Sequence, residues 1–304
     1  MKRHVFFSLH TDGFIRGRIV RAALIVAALF AATTALAQMQ AGEGITGRLI
    51  DGPDAPTPPN MDFDPGPLEL KDADWMGNTL GLEPTVPDPW TPLERTGAVV
   101  RCWGRAYRFE GVFPAAIESA DQALLSRPAT LRAAIGGEDY VLDDAAEWTS
   151  EEDHRIEFEG RGSLGPLRVE ASNWIEFDGM VQVKFALDAG EGADVERLDL
   201  EIPKPADVAK FYLFNNGEWG GKPLGETPSA DGASWETKWW PFGWVGDEER
   251  GLTVAAETPL GWVEPASGKV HELARRGGEV VWTVRIIGQP TTLTGRTEYV
   301  FGFQ

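Results

Sequence analysis

Three stretches decide the fold: Arg155-Ile-Glu-Phe-Glu159, Leu167-Arg-Val-Glu-Ala171 and Met180-Val-Gln-Val-Lys-Phe-Ala-Leu187. Successive side chains of a strand point to opposite faces. Ile156 and Phe158 therefore share one face and the charged residues the other; Leu167, Val169 and Ala171 repeat the pattern. Val181, Val183, Phe185 and Leu187 extend it over four inward positions. Asp178-Gly179, just before the third stretch, predicts a two-residue hairpin turn, because Gly accepts a positive φ. Half-apolar strands joined by tight turns predict antiparallel pairing with one face on a core.

Working outward, Ala98–Trp103, Arg105–Phe109, Phe211–Phe214, Gly251–Ala256, Glu279–Ile287 and Thr297–Phe303 read as further short strands. Val195, Leu198, Leu200 and Ile202 mark another. Helical candidates are few: Ala115–Leu125, and a turn near Ala206–Lys210. No repeat of fixed period occurs. The expected fold is all-β, an antiparallel β-sandwich of the supersandwich kind spanning 75–304, with an extended Pro-rich N-terminal arm.

Residues 1–37 read as a signal peptide. Lys2, Arg3, Arg16, Arg18 and Arg21 precede the apolar run Ala22–Ala32, and Ala35-Leu36-Ala37 is a small-x-small site with cleavage expected after Ala37. Eleven apolar residues are about half of the ~20 a membrane-spanning helix needs, so no span is expected once the signal is cleaved. The expected location is secreted or periplasmic. Residues 38–74 form a Pro/Gly-rich linker in which Pro53, Pro56, Pro58, Pro59, Pro65 and Pro67 remove amide donors. Residues 75–96, with Trp75 and Trp90, read as an arm lying on the domain.

Composition narrows function. Lys plus Arg number 28 against 47 Asp plus Glu, a net charge of -19. Phosphate backbones are repelled by such a chain, so no nucleic-acid partner is expected. Cys102 is the single cysteine. It permits neither an internal disulfide nor a cysteine-cluster zinc site, and reads as a small buried hydrophobe.

Five of the twelve Trp fall between Trp219 and Trp244, in the neighbourhood of Trp239-Trp240-Pro-Phe-Gly-Trp244-Val-Gly-Asp247-Glu248-Glu-Arg-Gly251. Sugars present apolar C–H faces ringed by hydroxyls, so flat aromatics beside carboxylates suit them. One reading places a glycan ligand on Trp239, Trp240 or Trp244, with Asp247 or Glu248 accepting hydroxyl hydrogen bonds. The other makes the same segment a Trp-rich core wall with Gly246–Gly251 as an exposed turn.

Carboxylates cluster at Asp143/Asp144, Glu151–Asp153 and Asp247–Glu249. Glycoside hydrolysis needs two carboxyls across a bond, one with a raised pKa, and sequence neighbours in turns seldom form that pair. The Asp143–Asp153 run lacks the regular ligand spacing of a calcium hand. His154 and His271 lie in polar stretches with no His-x-x-x-His pairing, so no metal site is expected. Ser163 lacks the flanking order of a nucleophile elbow, and no glycine loop for a nucleotide is present, so no cofactor is expected.

Trp75-Met-Gly-Asn78, Val86-Pro-Asp-Pro-Trp90-Thr-Pro92 and Val100-Arg-Cys-Trp-Gly104-Arg-Ala-Tyr107 resemble the start of the sandwich region in glycoside hydrolase family 123-like proteins. Glu176–Met180, Leu198–Pro203 and, most sharply, Trp244–Leu252 are similar to later parts of it. The resemblance, over roughly 75–304, implies a sandwich followed by a (β/α)8 barrel. It also implies that the catalytic carboxylates sit on that barrel, where the acetamido group of an N-acetylgalactosamine-type substrate assists catalysis. No position here matches those carboxylates, so no catalytic residue carries over. Three expectations follow. The first is a non-catalytic secreted module that binds glycan or packs against a catalytic barrel domain. The second is an N-terminal fragment of an active glycoside hydrolase, and the third a structural or adhesion protein of the cell envelope.

Overall fold

The computed structural model describes residues 83–215 and 223–304. The segments expected to form a signal peptide and a linker, and the first part of the expected arm, Trp75 included, lie outside the described residues, as does Trp219. The strands run in chain order from β1 (Glu94–Thr96), β2 (Val99–Cys102), β3 (Arg105–Phe109), β4 (Pro114–Ser119) and β5 (Gln122–Ala123) to β6 (Thr130–Ile135) and β7 (Glu138–Val141). Then come β8 (Asp143–Glu151), β9 (Arg155–Leu164), β10 (Leu167–Glu176), β11 (Val181–Asp188), β12 (Ala193–Pro205), β13 (Phe211–Asn215) and β14 (Leu224–Glu226). The last are β15 (Ser234–Thr237), β16 (Phe242–Gly246), β17 (Gly251–Ala256), β18 (His271–Arg276), β19 (Glu279–Ile287), β20 (Thr291–Leu293) and β21 (Arg296–Phe303).

Among the described residues these strands form three antiparallel sheets. Nine strands order as β14-β13-β16-β17-β21-β11-β10-β9-β8, and the path β15-β18-β19-β12-β6-β7 forms the second sheet, with β20 also pairing β12. The meander β1-β2-β3-β4-β5 is a small third sheet, an addition to the expected two layers. The period-two reading holds: Ile156, Phe158, Val169, Val181, Val183, Phe185 and Leu187 are all essentially buried. Phe214 of the nine-stranded sheet meets Trp282 of the second sheet edge-on at 5.4 Å. The small sheet covers another part of the core, with Phe109 against Phe158 at 4.5 Å and Phe113, in the β3–β4 connection, against Phe185 at 5.5 Å.

Two local expectations are corrected. Ala115–Leu125 is not helical but forms β4 and β5, a hairpin whose turn residues Ala120 and Asp121 adopt φ of 50° and 61°. Ala115 and Ile117 are buried while Glu118 is exposed, so the apolar spacing there is two and not 3.6. The β10–β11 turn has three residues. Gly179 N donates to Glu176 O at 2.8 Å and Glu176 N to Met180 O at 2.9 Å, with Gly179 at φ 81°. This is a type I turn closed by a left-handed Gly that takes up the extra residue as a bulge. Tyr107 Oη donates to Gly179 O at 2.9 Å, tying the small sheet to this turn.

The arm's described end does lie on the body: Trp90 meets Trp103 at 4.5 Å and Phe177 at 5.9 Å, and Leu93 N donates to Asp153 O. Cys102 is buried, and burial pushes its thiol up to about 11 despite the nearby Arg105. Among the described residues no helix is long and apolar enough to cross a membrane.

Lys204 is the anomaly of the core. It is wholly buried on β12, and its ammonium donates to Leu124 O at 3.1 Å. Burial disfavours the charged form and lowers its pKa to about 7, only partly opposed by Asp247. The unfolded chain keeps an ordinary lysine, so between about pH 7 and 10.5 it binds more protons than the folded chain, and stability rises with pH across that window. Lys204→Met is therefore expected to raise the melting temperature at pH 7, by an amount that shrinks toward pH 10. Calorimetry at both pH values checks this, and a variant less stable at pH 7 would contradict it.

Candidate functional site

The Trp-rich segment runs from β15 into β16, one strand in each main sheet. Trp235 is half-buried and stacks on Tyr212 with centroids 4.0 Å apart. Trp240 is 9% exposed. Its indole N–H donates to Thr237 Oγ1 at 3.0 Å, and Lys238 lies 4.9 Å over its ring. Its backbone meets His271, which is buried in spite of its polar sequence context. His271 Nδ1 accepts the Trp282 indole N–H at 3.3 Å, which assigns the proton to Nε2, facing Trp240 O at 3.3 Å. Burial holds the imidazole neutral, with its pKa lowered to about 4. Trp240 and His271 thus belong to the inter-sheet core.

Trp239 is half-buried and packs on the same core, and its indole nitrogen is buried without a hydrogen-bond partner among the described residues. Trp244 differs. It pairs with Leu213 and Thr253 on the face of the nine-stranded sheet opposite Val245, which is buried. Its indole lies against Gly246 and Gly251, where a Cβ at either position would collide with the ring. One ring face rests on backbone and the side chain stays half-buried.

Asp247 opens the Asp247–Arg250 turn between β16 and β17. Its Oδ1 accepts the amides of Glu249 and Arg250, each at 2.8 Å. Burial works against its charge, but those amides and the Arg250 guanidinium outweigh it and hold the carboxyl below its ordinary range. Glu248 is exposed and receives Lys210 Nζ at 3.2 Å; its own amide and Lys210 hold its pKa low. The structure thus keeps Trp239 and Trp240 in the core wall, lays Trp244 on the sheet, and engages both carboxylates locally.

Two acids have a raised pKa, Asp144 of the Asp143/Asp144 pair and Asp199, which the sequence reading did not single out. Asp144, on β8, is raised by burial, against the Val112 amide that it accepts. Asp199, on β12, is raised to about 6 by burial, against Arg197 at 3.1 Å. Glu201, two residues on and on the same face, accepts Arg132 at 2.8 Å and Arg127 at 3.3 Å. A raised acid with a second carboxylate on the same strand face is the pairing a hydrolytic site would need. However, Asp199 and Glu201 are only 9% and 8% exposed, closed over by that arginine network. Alternation in Leu198-Asp-Leu-Glu-Ile202 could have placed both on one face, but not their burial. Among the described residues no group of three or more His, Cys, Asp or Glu is arranged to hold a metal.

Comparison with known proteins gives one family: glycoside hydrolase 123, third domain, matches residues 93–260, more than half the chain. No curated protein matches. Among solved structures the chain is similar to an α-N-acetylgalactosaminidase of Bifidobacterium bifidum in complex with GalNAc, at 10% identity and a TM-score of 0.45 over 70% of this chain and 35% of that one. It is also similar to a putative aldose 1-epimerase of Escherichia coli K12, at 9% identity and TM-score 0.40 over 70% and 98% of the two chains. A glycoside hydrolase family 97 enzyme from Pseudoalteromonas aligns at 11% identity and TM-score 0.37 over 70% and 35%. The chain spans about a third of the length of the first and last of these.

The fit of Trp244 over its glycines gives a direct test. Gly251→Ala is expected to cost about 1–3 kcal/mol, since overpacking must displace the indole. In a Trp244→Ala background the same change should be nearly free. Denaturant unfolding of the double-mutant cycle measures the coupling, and additive losses would show that the ring does not lie there.

Proposed function

From the premise that this chain belongs to the glycoside hydrolase 123 third-domain family, we propose that it is a non-catalytic, exported β-sandwich module of a carbohydrate-active protein that packs against a catalytic barrel domain. The observation that carries the reading is the state of the two acids that follow Trp244 in the β16–β17 turn. A glycosidase general acid needs its pKa raised so that it holds a proton near neutrality. Asp247 and Glu248 are both shifted the other way, by turn amides, Arg250 and Lys210. The raised acid Asp199 is closed off from any substrate by its burial. Within this reading Trp239 and Trp240 serve the fold, and a glycan contact in the segment falls to Trp244, whose ring faces away from the core. Export rests on the character of residues 1–37.

The purified chain is expected to release no sugar from an aryl N-acetylgalactosaminide above the buffer rate, at any pH from 4 to 8. Turnover that disappears in Asp199→Asn or Asp247→Asn would overturn the non-catalytic reading.

A further inference from the structure

The β2–β3 hairpin turns in two residues, Trp103 and Gly104, with φ of 38° and 79° between the paired Cys102 and Arg105. Both central positions are left-handed, the setting in which Asn-Gly is ordinarily found. A bulky residue there is a steric outlier. Burial does not explain it, because Trp103 is 51% exposed. Among the described residues the other non-glycine positions with positive φ are Ala120 and Asp121, in the β4–β5 turn. The two turns are adjacent, since Ala120 N donates to Gly104 O at 2.9 Å. Backbone strain of this kind collects at ligand-contacting sites.

Trp103 is not loose. Its ring is braced by Trp90 at 4.5 Å and an interplanar angle of 59°, and Trp90 is braced in turn by Phe177, edge-on at 5.9 Å. Trp90 and Phe177 are half-buried, so a single indole projects from a supported aromatic base. Arg101 precedes it by two residues and Asp121 sits in the adjacent turn, both exposed, while Arg105, just past Gly104, is half-buried over Gly179.

We propose that Trp103 is a stacking platform for one pyranose ring of a neutral glycan, with Asp121 and the flanking arginines meeting its hydroxyls. An exposed indole of this kind offers at most about 150–250 Å², well short of the roughly 800 Å² per partner of a stable protein interface. It is the size of one sugar face. The net charge of -19 disfavours an anionic polymer. The inference rests on the reading of the chain as part of a carbohydrate-active protein, and it locates a contact that reading does not assign.

The test is a tryptophan-fluorescence titration of the full chain with N-acetylgalactosaminyl, N-acetylglucosaminyl and glucosyl trisaccharides. Trp103→Asn, which suits the left-handed turn, is expected to weaken binding of the preferred sugar at least tenfold while leaving the melting temperature within about 3 °C. Trp103→Phe should retain part of the affinity. Loss of binding in Trp244→Ala with none in Trp103→Asn would overturn the platform and leave the module reading intact. Absence of binding by the wild-type chain to every sugar would overturn the platform too. A drop in melting temperature of 8 °C or more in both Trp103 variants, with affinity unchanged, would make the residue structural.

Discussion

The sandwich depends on a place where a side chain is missing. Gly243, buried on β16, stands where a Cβ would come within 2.5 Å of the Phe214 ring and 2.8 Å of Trp282. Without that carbon, the Phe214 and Trp282 rings meet edge-on, a favourable arrangement for their quadrupoles. His271 then fits 4.9 Å from Phe214 and takes the Trp282 indole N–H on Nδ1. Trp240 is held through the other nitrogen. The burial of Trp240 is thus tied to one glycine through a chain of contacts.

The polar groups of the core follow a common rule. Each is neutral or closely partnered, because an unpartnered charge in an apolar interior is too costly to keep. His271 is neutral between two indole-bearing residues, and Lys204 has its ammonium on one carbonyl and its pKa near 7. On the outer face of the second sheet, Glu201 is fenced by Arg127 and Arg132. The acids of the Asp247–Arg250 turn are engaged in the same way by amides and a lysine. Carboxylates are used here to close turns and edges.

Much of the fold was legible because inward and outward positions alternate in type. β9, β10 and β11 could be read residue by residue, since Ile156, Phe158, Val169, Val181, Val183 and Phe185 are apolar and alternate largely with polar residues. β8 was illegible for the opposite reason. It is the edge of the nine-stranded sheet, its residues alternate only between exposed and half-buried, and its acids read as a solvated run. Charged edges of that kind discourage pairing with another chain. β4 and β5 were mistaken for helix because alanines satisfy either period and nothing in the sequence announces left-handed geometry at Ala120 and Asp121. For the site, composition draws attention to Trp239, Trp240 and Trp244, whereas the exposure of Trp103 and its left-handed backbone are invisible in sequence.

The most direct test of this architecture is the stability of Gly243→Ala. Adding one methyl group where Phe214 and Trp282 meet should lower the unfolding free energy by about 1–3 kcal/mol and move the near-ultraviolet tryptophan signal. An unchanged midpoint with an unchanged tryptophan spectrum would mean that the two sheets do not close on each other at this point.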